Sequence, residues 1–479
     1  MYDTSAPVDL HPKRWAALIM ILIAVFMDLV DTTVVLVALP SLQKDLGASE
    51  AVLEWTAAGY TLAFATLLIT GGRLGDRFGR KRVFLGGLVL FLVASVAAGL
   101  SVNPAMLVGS RLVQGGAAAL MIPQVLPFIQ TEFSEQERPK AIGVYGMTFA
   151  VGGVSGPLLG GLLLNADLFG WGWRSIFFIN VPFGLVCLLG VAMLARESRT
   201  VAETKFDVLG LLIATAALVA LFYPLIEGQQ LGWPAWIIAL PVLALVLFAL
   251  FVARERAAIR RGADPLIDPA LFGSRAVSGG LAVAVVFFCA PAYGFVMTLF
   301  LQDAAGWTAL HTALTLLAFA VGVVFGSGVA VQLAPKLGRK VVIAGPLVMA
   351  AGIAWITVAI QTAGTGVGTW QLVPGLFIAG LGMSAVATTL ITVVLAQVPY
   401  TMAGAASGVI NTTIQIGTAL GIAVIGTVFF TLIGSSTATN AATVSLTCVA
   451  GLLVVAAALG FLLPPQRAMA EQQSTGQSI

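Results

Sequence analysis

Residues 71–82 read GGRLGDRFGRKR and place six charged side chains between two long apolar runs, 51–72 and 83–101. Such a cluster is out of keeping with the rest of the chain, where only 9% of residues are charged, 59% are hydrophobic, and the mean hydropathy is +1.01. A soluble domain carries about 25% charged residues. A hydrocarbon layer about 30 Å thick needs roughly 20 apolar residues per helix. This chain supplies such stretches almost end to end, so it reads as an all-α, polytopic membrane protein with a charged hinge on one face.

Working outward from that hinge, apolar runs between charged, Pro-rich or Gly-rich breaks give fourteen segments: 15–38, 51–72, 83–101, 106–128, 141–163, 174–194, 207–226, 234–252, 276–300, 311–333, 341–360, 369–395, 405–430 and 441–463. An even number puts both termini on one side. Of the 24 Lys and Arg residues, 21 fall in the tails and connections on that side. Basic residues are enriched in cytoplasmic connections, so both termini are expected in the cytoplasm. The N-terminal tail is acidic before it is basic, and the apolar run after it is too long for a cleaved signal, so it reads as a retained first helix.

The expected organisation is a tail at 1–14, a six-helix bundle at 15–194, two inserted helices at 207–252, a cytoplasmic connection at 253–275 that fits a short amphipathic surface helix, a second six-helix bundle at 276–463, and a tail at 464–479. No connection is long enough for a catalytic module, so the chain does not read as an enzyme. The formal charge of +3 carries no aromatic-interleaved basic domain, which argues against nucleic acid. The three cysteines lie in apolar segments, and no Cys/His cluster has metal-ligand spacing. No GxxxxGK[ST] phosphate cradle is present, so an ion gradient rather than a cofactor or ATP is the expected energy source. A weak repeat is visible, since QLAPKLGRK follows the tenth segment as GRLGDRFGRKR follows the second. Duplicated halves are frequent in secondary transporters.

Several residues require explanation. Asp28 and Asp31, in FMDLVDTTVVLVALP, lie within the first segment. A carboxylate in hydrocarbon must face water, find partners or take up a proton. Three residues apart, the two share one side of a helix and repel each other. They either bind a coupling proton or fix helix packing. Arg111 cannot discharge itself by deprotonation, so it either forms a structural ion pair or holds the proton site; Gln114 follows one turn later.

In GGVSGPLLGG, Gly152, Gly156 and Gly160 form one stripe and Gly153, Pro157 and Gly161 the next, which permits close helix contact and a bend for gating. In the 71–82 stretch, Gly72, Gly75 and Gly79 allow tight turns, and Asp76 is expected to accept from helix-end amides or to pair with Arg77 or Arg80 as a releasable latch. Glu54, Trp55, Tyr60, Glu227, Asp303 and His311 lie toward the outward ends, where a residue is either solvated or linked to substrate. Asn411 and Gln415, four apart, either line a cavity or join helices.

Together these segments resemble the major facilitator superfamily, and within it the fourteen-helix drug/proton antiporter branch. LVDTTVVLVALP is similar to that branch's first-helix segment and gives its acid role to Asp31, with Asp28 an additional acid. GRLGDRFGRKR resembles the superfamily loop motif through Gly72, Leu74, Asp76, Gly79 and Arg80. RLVQGGAAAL resembles the fourth-helix motif and gives its proton-translocation role to Arg111. GGVSGPLLGG resembles the antiporter motif through Gly156, Pro157, Gly160 and Gly161. WRSIFFINVPFG at 173–184 and GAASGVINTTIQIGTALG at 404–421 extend the likeness over nearly the whole chain.

The resemblance implies two six-helix bundles, two inserted helices, alternating access, and inward proton flow driving export of lipophilic drugs, antibiotics or related amphipathic molecules. The implied setting is a bacterial cytoplasmic membrane, and the implied state a monomer. A narrow-specificity metabolite exporter or symporter is the second reading, and a non-transporting sensor the third. Two departures count against a symmetric pair of latches. Ile414 stands where relatives often have Arg, and the second-half loop lacks an acid matching Asp76.

Overall fold

The computed structural model describes residues 12–198, 207–228, 230–261, 273–395 and 403–463. Fourteen helices are long and apolar enough to cross a membrane. In chain order they are α1 (Arg14–Leu46), α2 (Glu50–Phe78), α3 (Arg80–Gly99), α4 (Pro104–Glu132), α5 (Arg138–Ala166), α6 (Gly172–Leu194), α7 (Val208–Glu227), α8 (Ala235–Arg260), α9 (Arg275–Ala304), α10 (Ala309–Leu337), α11 (Arg339–Ala363), α12 (Thr369–Leu395), α13 (Ala403–Ile433) and α14 (Ala438–Leu459). No strand occurs among the described residues. Helices suit these sequences because hydrocarbon offers backbone amides no partner outside the segment.

Helix ends are set locally. Gly47 closes α1 in the left-handed region at φ +58°, Asn103 accepts the Met106 amide ahead of Pro104 to start α4, and Asp207 accepts the Gly210 amide at the start of α7. The 71–82 stretch is not a loop. α2 runs through Phe78 and α3 starts at Arg80, with the whole reversal made at Gly79, whose φ of +103° disfavours any side chain. The same joint recurs between α10 and α11, where Gly338 at φ +42° precedes Arg339. α8 continues past 252 to Arg260, so the first turns of the expected connection extend a membrane helix; residues 262–272 of that connection lie outside the described residues, as do the tails at 1–11 and 464–479.

Helices α1 to α6 pack among themselves, as do α9 to α14, while α7 packs on α8 and reaches both α2 and α13. The halves meet through α2 against α13 and α5 against α10. Several contacts across this seam lie at the face opposite the termini, termed the far face. There Gln302 donates to the Val37 carbonyl (3.0 Å), Lys44 lies 3.4 Å from Asp303, and the bare backbone of Gly161 sits against Leu310 and Ala313. A cleft of about 580 Å³ opens on this face, lined by residues including Lys44, Asp45, Trp171, Arg174 and Trp307.

α5 uses its two glycine stripes on two different partners. A Cβ at Gly152, Gly156 or Gly160 would strike Leu29, Thr33 or Val34 of α1, whereas one at Gly161 would strike α10 across the seam. Bare backbone therefore sets both contacts. α5 is continuous from Arg138 to Ala166 with Pro157 inside it.

Candidate functional site

Asp31 is completely buried in the first six helices and accepts three side-chain hydrogen bonds. Oδ1 takes Asn180 Nδ2 (2.8 Å) and Gln114 Nε2 (3.1 Å), and Oδ2 takes Arg111 Nη1 in an ion pair. Arg111, 1% exposed, also donates from Nε to the Thr56 carbonyl (3.1 Å) and from Nη1 to Gln114 Oε1 (3.0 Å). Ser95 Oγ receives Gln114 Nε2 (2.8 Å) and Asn180 Nδ2 (3.3 Å), which closes the network. Five helices, α1, α2, α3, α4 and α6, thus converge on one carboxylate. These three protein donors satisfy the carboxylate, as a buried ion pair requires if it is not to be strongly unfavourable.

Tyr60 joins this network to Asp28. Its hydroxyl donates to Asp28 Oδ1, and its ring lies under the Arg111 guanidinium, 4.4 Å from centroid to Cζ. The close approach depends on Gly115, where a Cβ would sit 2.1 Å from the Tyr60 carbonyl oxygen. Asp28, 8% exposed, is the less buried of the two acids. A change at Asp28 therefore reaches the Asp31–Arg111 pair through a single aromatic ring.

At the terminus side, Asp76 pairs with Arg80 (2.9 Å) across the Gly79 joint, whereas the Arg77 guanidinium lies over the Phe78 ring. Two amides at the start of α3 go to Glu197, just beyond α6. Its carboxylate accepts from Lys81 N (3.0 Å) and Arg82 N (3.2 Å), and the Ser198 carbonyl accepts from Arg80 N (2.9 Å). Gly72 and Gly75 lie inside α2 rather than in turns, and the close approach falls to Gly71 and Gly75. A Cβ at those positions would meet the Ala119 carbonyl oxygen or Gln124 Oε1 at 1.9 Å, while one at Gly72 meets only Pro123 at 3.6 Å. Gln124 donates to the Gly71 carbonyl (2.8 Å) and fastens α4 to this joint.

The cavity-lining candidates separate. Gln114, Tyr60 and Glu54 are buried within helix contacts rather than lining open space. On α13, Asn411 is exposed and Gln415 half-buried. Of the other outward residues, Glu227 accepts from Trp55 Nε1 (2.9 Å), Asp303 faces Lys44, and His311 bonds Thr369 (2.7 Å) and stacks on Trp307. Asn180, Ser95 and Glu197 were not legible in the sequence as site residues. The only signal was that polar side chains occur in, or just after, apolar segments.

Outside the membrane spans, two ties fix the terminus side. Arg14 binds Glu137 (2.7 Å), and this hydrogen bond, more than any other influence, holds the Glu137 carboxyl down at about 2. Burial alone would raise Asp207, but hydrogen bonds from Arg254 and the Gly210 amide, with the charges of Arg254 and Arg73, leave it below the ordinary carboxylate value. Among the described residues no group of three or more His, Cys, Asp or Glu side chains has the geometry to hold a metal.

The profile of the Major Facilitator Superfamily matches residues 21–208 and 207–422. The chain belongs to this superfamily. A probable actinorhodin transporter of Streptomyces coelicolor is 42% identical over 88% of this chain and 74% of its own length. The puromycin resistance protein pur8 of Streptomyces alboniger is 35% identical over 87% of this chain and 82% of its own. The crystal structure of the POT family transporter PepTSo superposes with a TM-score of 0.70 over 95% of this chain and 98% of that one at 16% identity, a likeness of fold alone. This major facilitator protein is thus a multi-pass membrane transporter of the major facilitator fold, not an enzyme.

Proposed function

We propose that this transporter is a proton-coupled antiporter that exports lipophilic drugs, antibiotics or related amphipathic compounds by alternating access. The observation that carries the reading is the Asp31–Arg111 pair, sealed in one bundle and tied through Tyr60 to a second acid, Asp28. A proton arriving at Asp28 would weaken the hold on the Tyr60 hydroxyl and release the ring beneath Arg111. A proton on Asp31 would leave Arg111 without the charge of its partner, held by two carbonyl oxygens and the Tyr60 ring, and so loosen α1 from α4 and α2. Proton binding would thereby act on the helices that meet the other bundle, α2 directly and α5 through its glycine contact with α1.

The export direction draws on relatives named for actinorhodin transport and puromycin resistance. The orientation draws on the 21 of 24 basic residues at the terminus side, which would place both termini in the cytoplasm of a bacterial inner membrane. In this reading the proton gradient supplies the energy without a cofactor, a monomer surrounded by lipid suffices, and exposed Asn411 and half-buried Gln415 present polar groups to substrate.

Reconstitution in proteoliposomes tests the proposal. Lumenal pH is followed under imposed pH and electrical gradients while lipophilic cations and neutral antibiotics are added to wild type and Asp31→Asn. Substrate-dependent proton movement that vanishes in the variant is the expected result. Verified substrate transport without proton movement would overturn the coupling.

A further inference from the structure

Glu54 lies on α2 where that helix meets both α13 and α7. The side chain is 2% exposed, and its Oε2 has no hydrogen-bond partner. The carboxyl lies flat on the bare backbone of α13, since a Cβ at Gly426 would stand 2.7 Å from Oε1, 2.8 Å from Cδ and 3.1 Å from Cγ. The surrounding elements are bonded to one another around it. Trp55 Nε1 donates to Glu227 Oε1 (2.9 Å), joining α2 to α7, and Thr427 Oγ1 donates to the Leu225 carbonyl (2.6 Å), joining α13 to α7.

Among the described residues no cation compensates this carboxyl. The charged groups acting on it are Glu50 from its own helix and Glu227 from α7, both acids, and α13 carries no ionisable side chain between Ala403 and Ile433. An ionised carboxylate without a donor in an apolar seam, facing two further acids, is far more costly than the neutral acid. The seam it lies in is the junction of the two halves of the molecule. Any motion that separates α2 from α13 exposes the carboxyl to water and removes that cost.

We propose that Glu54 is a second proton-binding site, distinct from the Asp28–Asp31 pair, that carries a proton while the far-face seam is shut and yields it to far-side water when α13 withdraws. In that step the carboxyl O–H bond breaks, the proton passes to water, and the negative charge left behind opposes closure until another proton arrives. Gly426 is the complementary feature, because any side chain there would displace the acid from the seam. The inference rests on the alternating-access reading, and Glu54 then makes closure of the far side proton-dependent.

The test uses full-length protein in nanodiscs. The native cysteines Cys187, Cys289 and Cys448 are replaced, and spin labels are placed at Ala166→Cys and Ser436→Cys, one in each half at the far face. In otherwise wild-type protein the distance lengthens as pH rises. With Glu54→Gln, which mimics the neutral acid, it stays short throughout. With Gly426→Ala, which expels the carboxyl, it is long already at low pH. A wild-type distance indifferent to pH, or a response kept with the same midpoint in both variants, overturns the proposal.

Infrared spectroscopy supplies a readout free of substrate and gradient. The protonated-carboxyl band loses intensity in Glu54→Gln but keeps the Glu54 contribution in Asp31→Asn; an unchanged band in Glu54→Gln overturns the assignment. Because neither measurement involves transport, failure of the antiport reading in proteoliposomes and failure of this one remain distinguishable.

Discussion

Removing Asp31 should destabilise the protein more than removing its partner, although the two form one ion pair. Both side chains are buried, at 0% and 1% exposure. Asp31→Asn leaves the Arg111 guanidinium with the Thr56 carbonyl, Gln114 Oε1 and the Tyr60 ring but no carboxylate in direct contact, and arginine has no accessible neutral form. Breaking a buried pair in this way costs roughly 3–5 kcal/mol, about two to four powers of ten in the unfolding constant. Arg111→Met, by contrast, leaves Asp31 the Asn180 and Gln114 donors, and the acid can also take up a proton. That loss should be nearer the roughly 1–3 kcal/mol of an incompletely satisfied buried group.

In the double variant both charges are gone. Its stability should lie above that of Asp31→Asn alone, with a coupling energy of about 1–3 kcal/mol. Equilibrium unfolding in mixed micelles, titrated with a denaturing detergent, measures all four states of the cycle. Additive losses, or an Asp31→Asn loss below about 1 kcal/mol, would refute a buried pair whose cation depends on Asp31.

Three further outcomes are expected. Gly156→Ala, which sets a Cβ 1.8 Å from Thr33 Oγ1, should force α1 from α5 and cost about 1–3 kcal/mol with loss of export, whereas Gly153→Ala, with nothing within 4 Å, should be silent in the same unfolding and transport assays. Gly75→Ala, 1.9 Å from Gln124 Oε1, should impair export more than Gly72→Ala, whose new methyl meets only Pro123 at 3.6 Å; the reverse order in a transport assay would contradict the packing described for the joint. Glu137, held down to about 2 by Arg14, contributes stability that is present above the unfolded value of about 4.3 and is lost as pH falls through its folded value, so the α1 tie should survive to near pH 2. Site-resolved NMR titration of Glu137 checks this, and in Arg14→Gln the midpoint should move up toward the ordinary range.

The pair α5 and α13 shows how far the sequence could be read. Four-residue glycine spacing in GGVSGPLLGG announced close helix contact, but the chain gave no hint that Gly156 and Gly160 serve α1 while Gly161 serves α10. Asp76 was legible as an acid among bases, and its pairing with Arg80, four residues on, is made across the Gly79 joint. The first amides of α3 are taken by Glu197, 116 residues beyond Lys81, a pairing that no local spacing announces. Glu54 is the sharpest contrast. In sequence it is an acid near a helix start, where solvation is the ordinary outcome, and only α7 and α13 closing over it make it a buried carboxyl.

The sequence by itself determined the fourteen spans, the repeated joint and the presence of deep charges. Those properties are local or additive: a helix in hydrocarbon satisfies its own backbone, so apolar length and the placement of basic residues are enough to place it. Tertiary structure alone decided which charges meet. Asp31 finds Arg111 80 positions away and Asn180 149 positions away, and Glu54 finds Gly426 across the boundary between the halves. Burial and pairing depend on helices distant in the chain arriving at one point, and no local pattern of residues encodes that arrival.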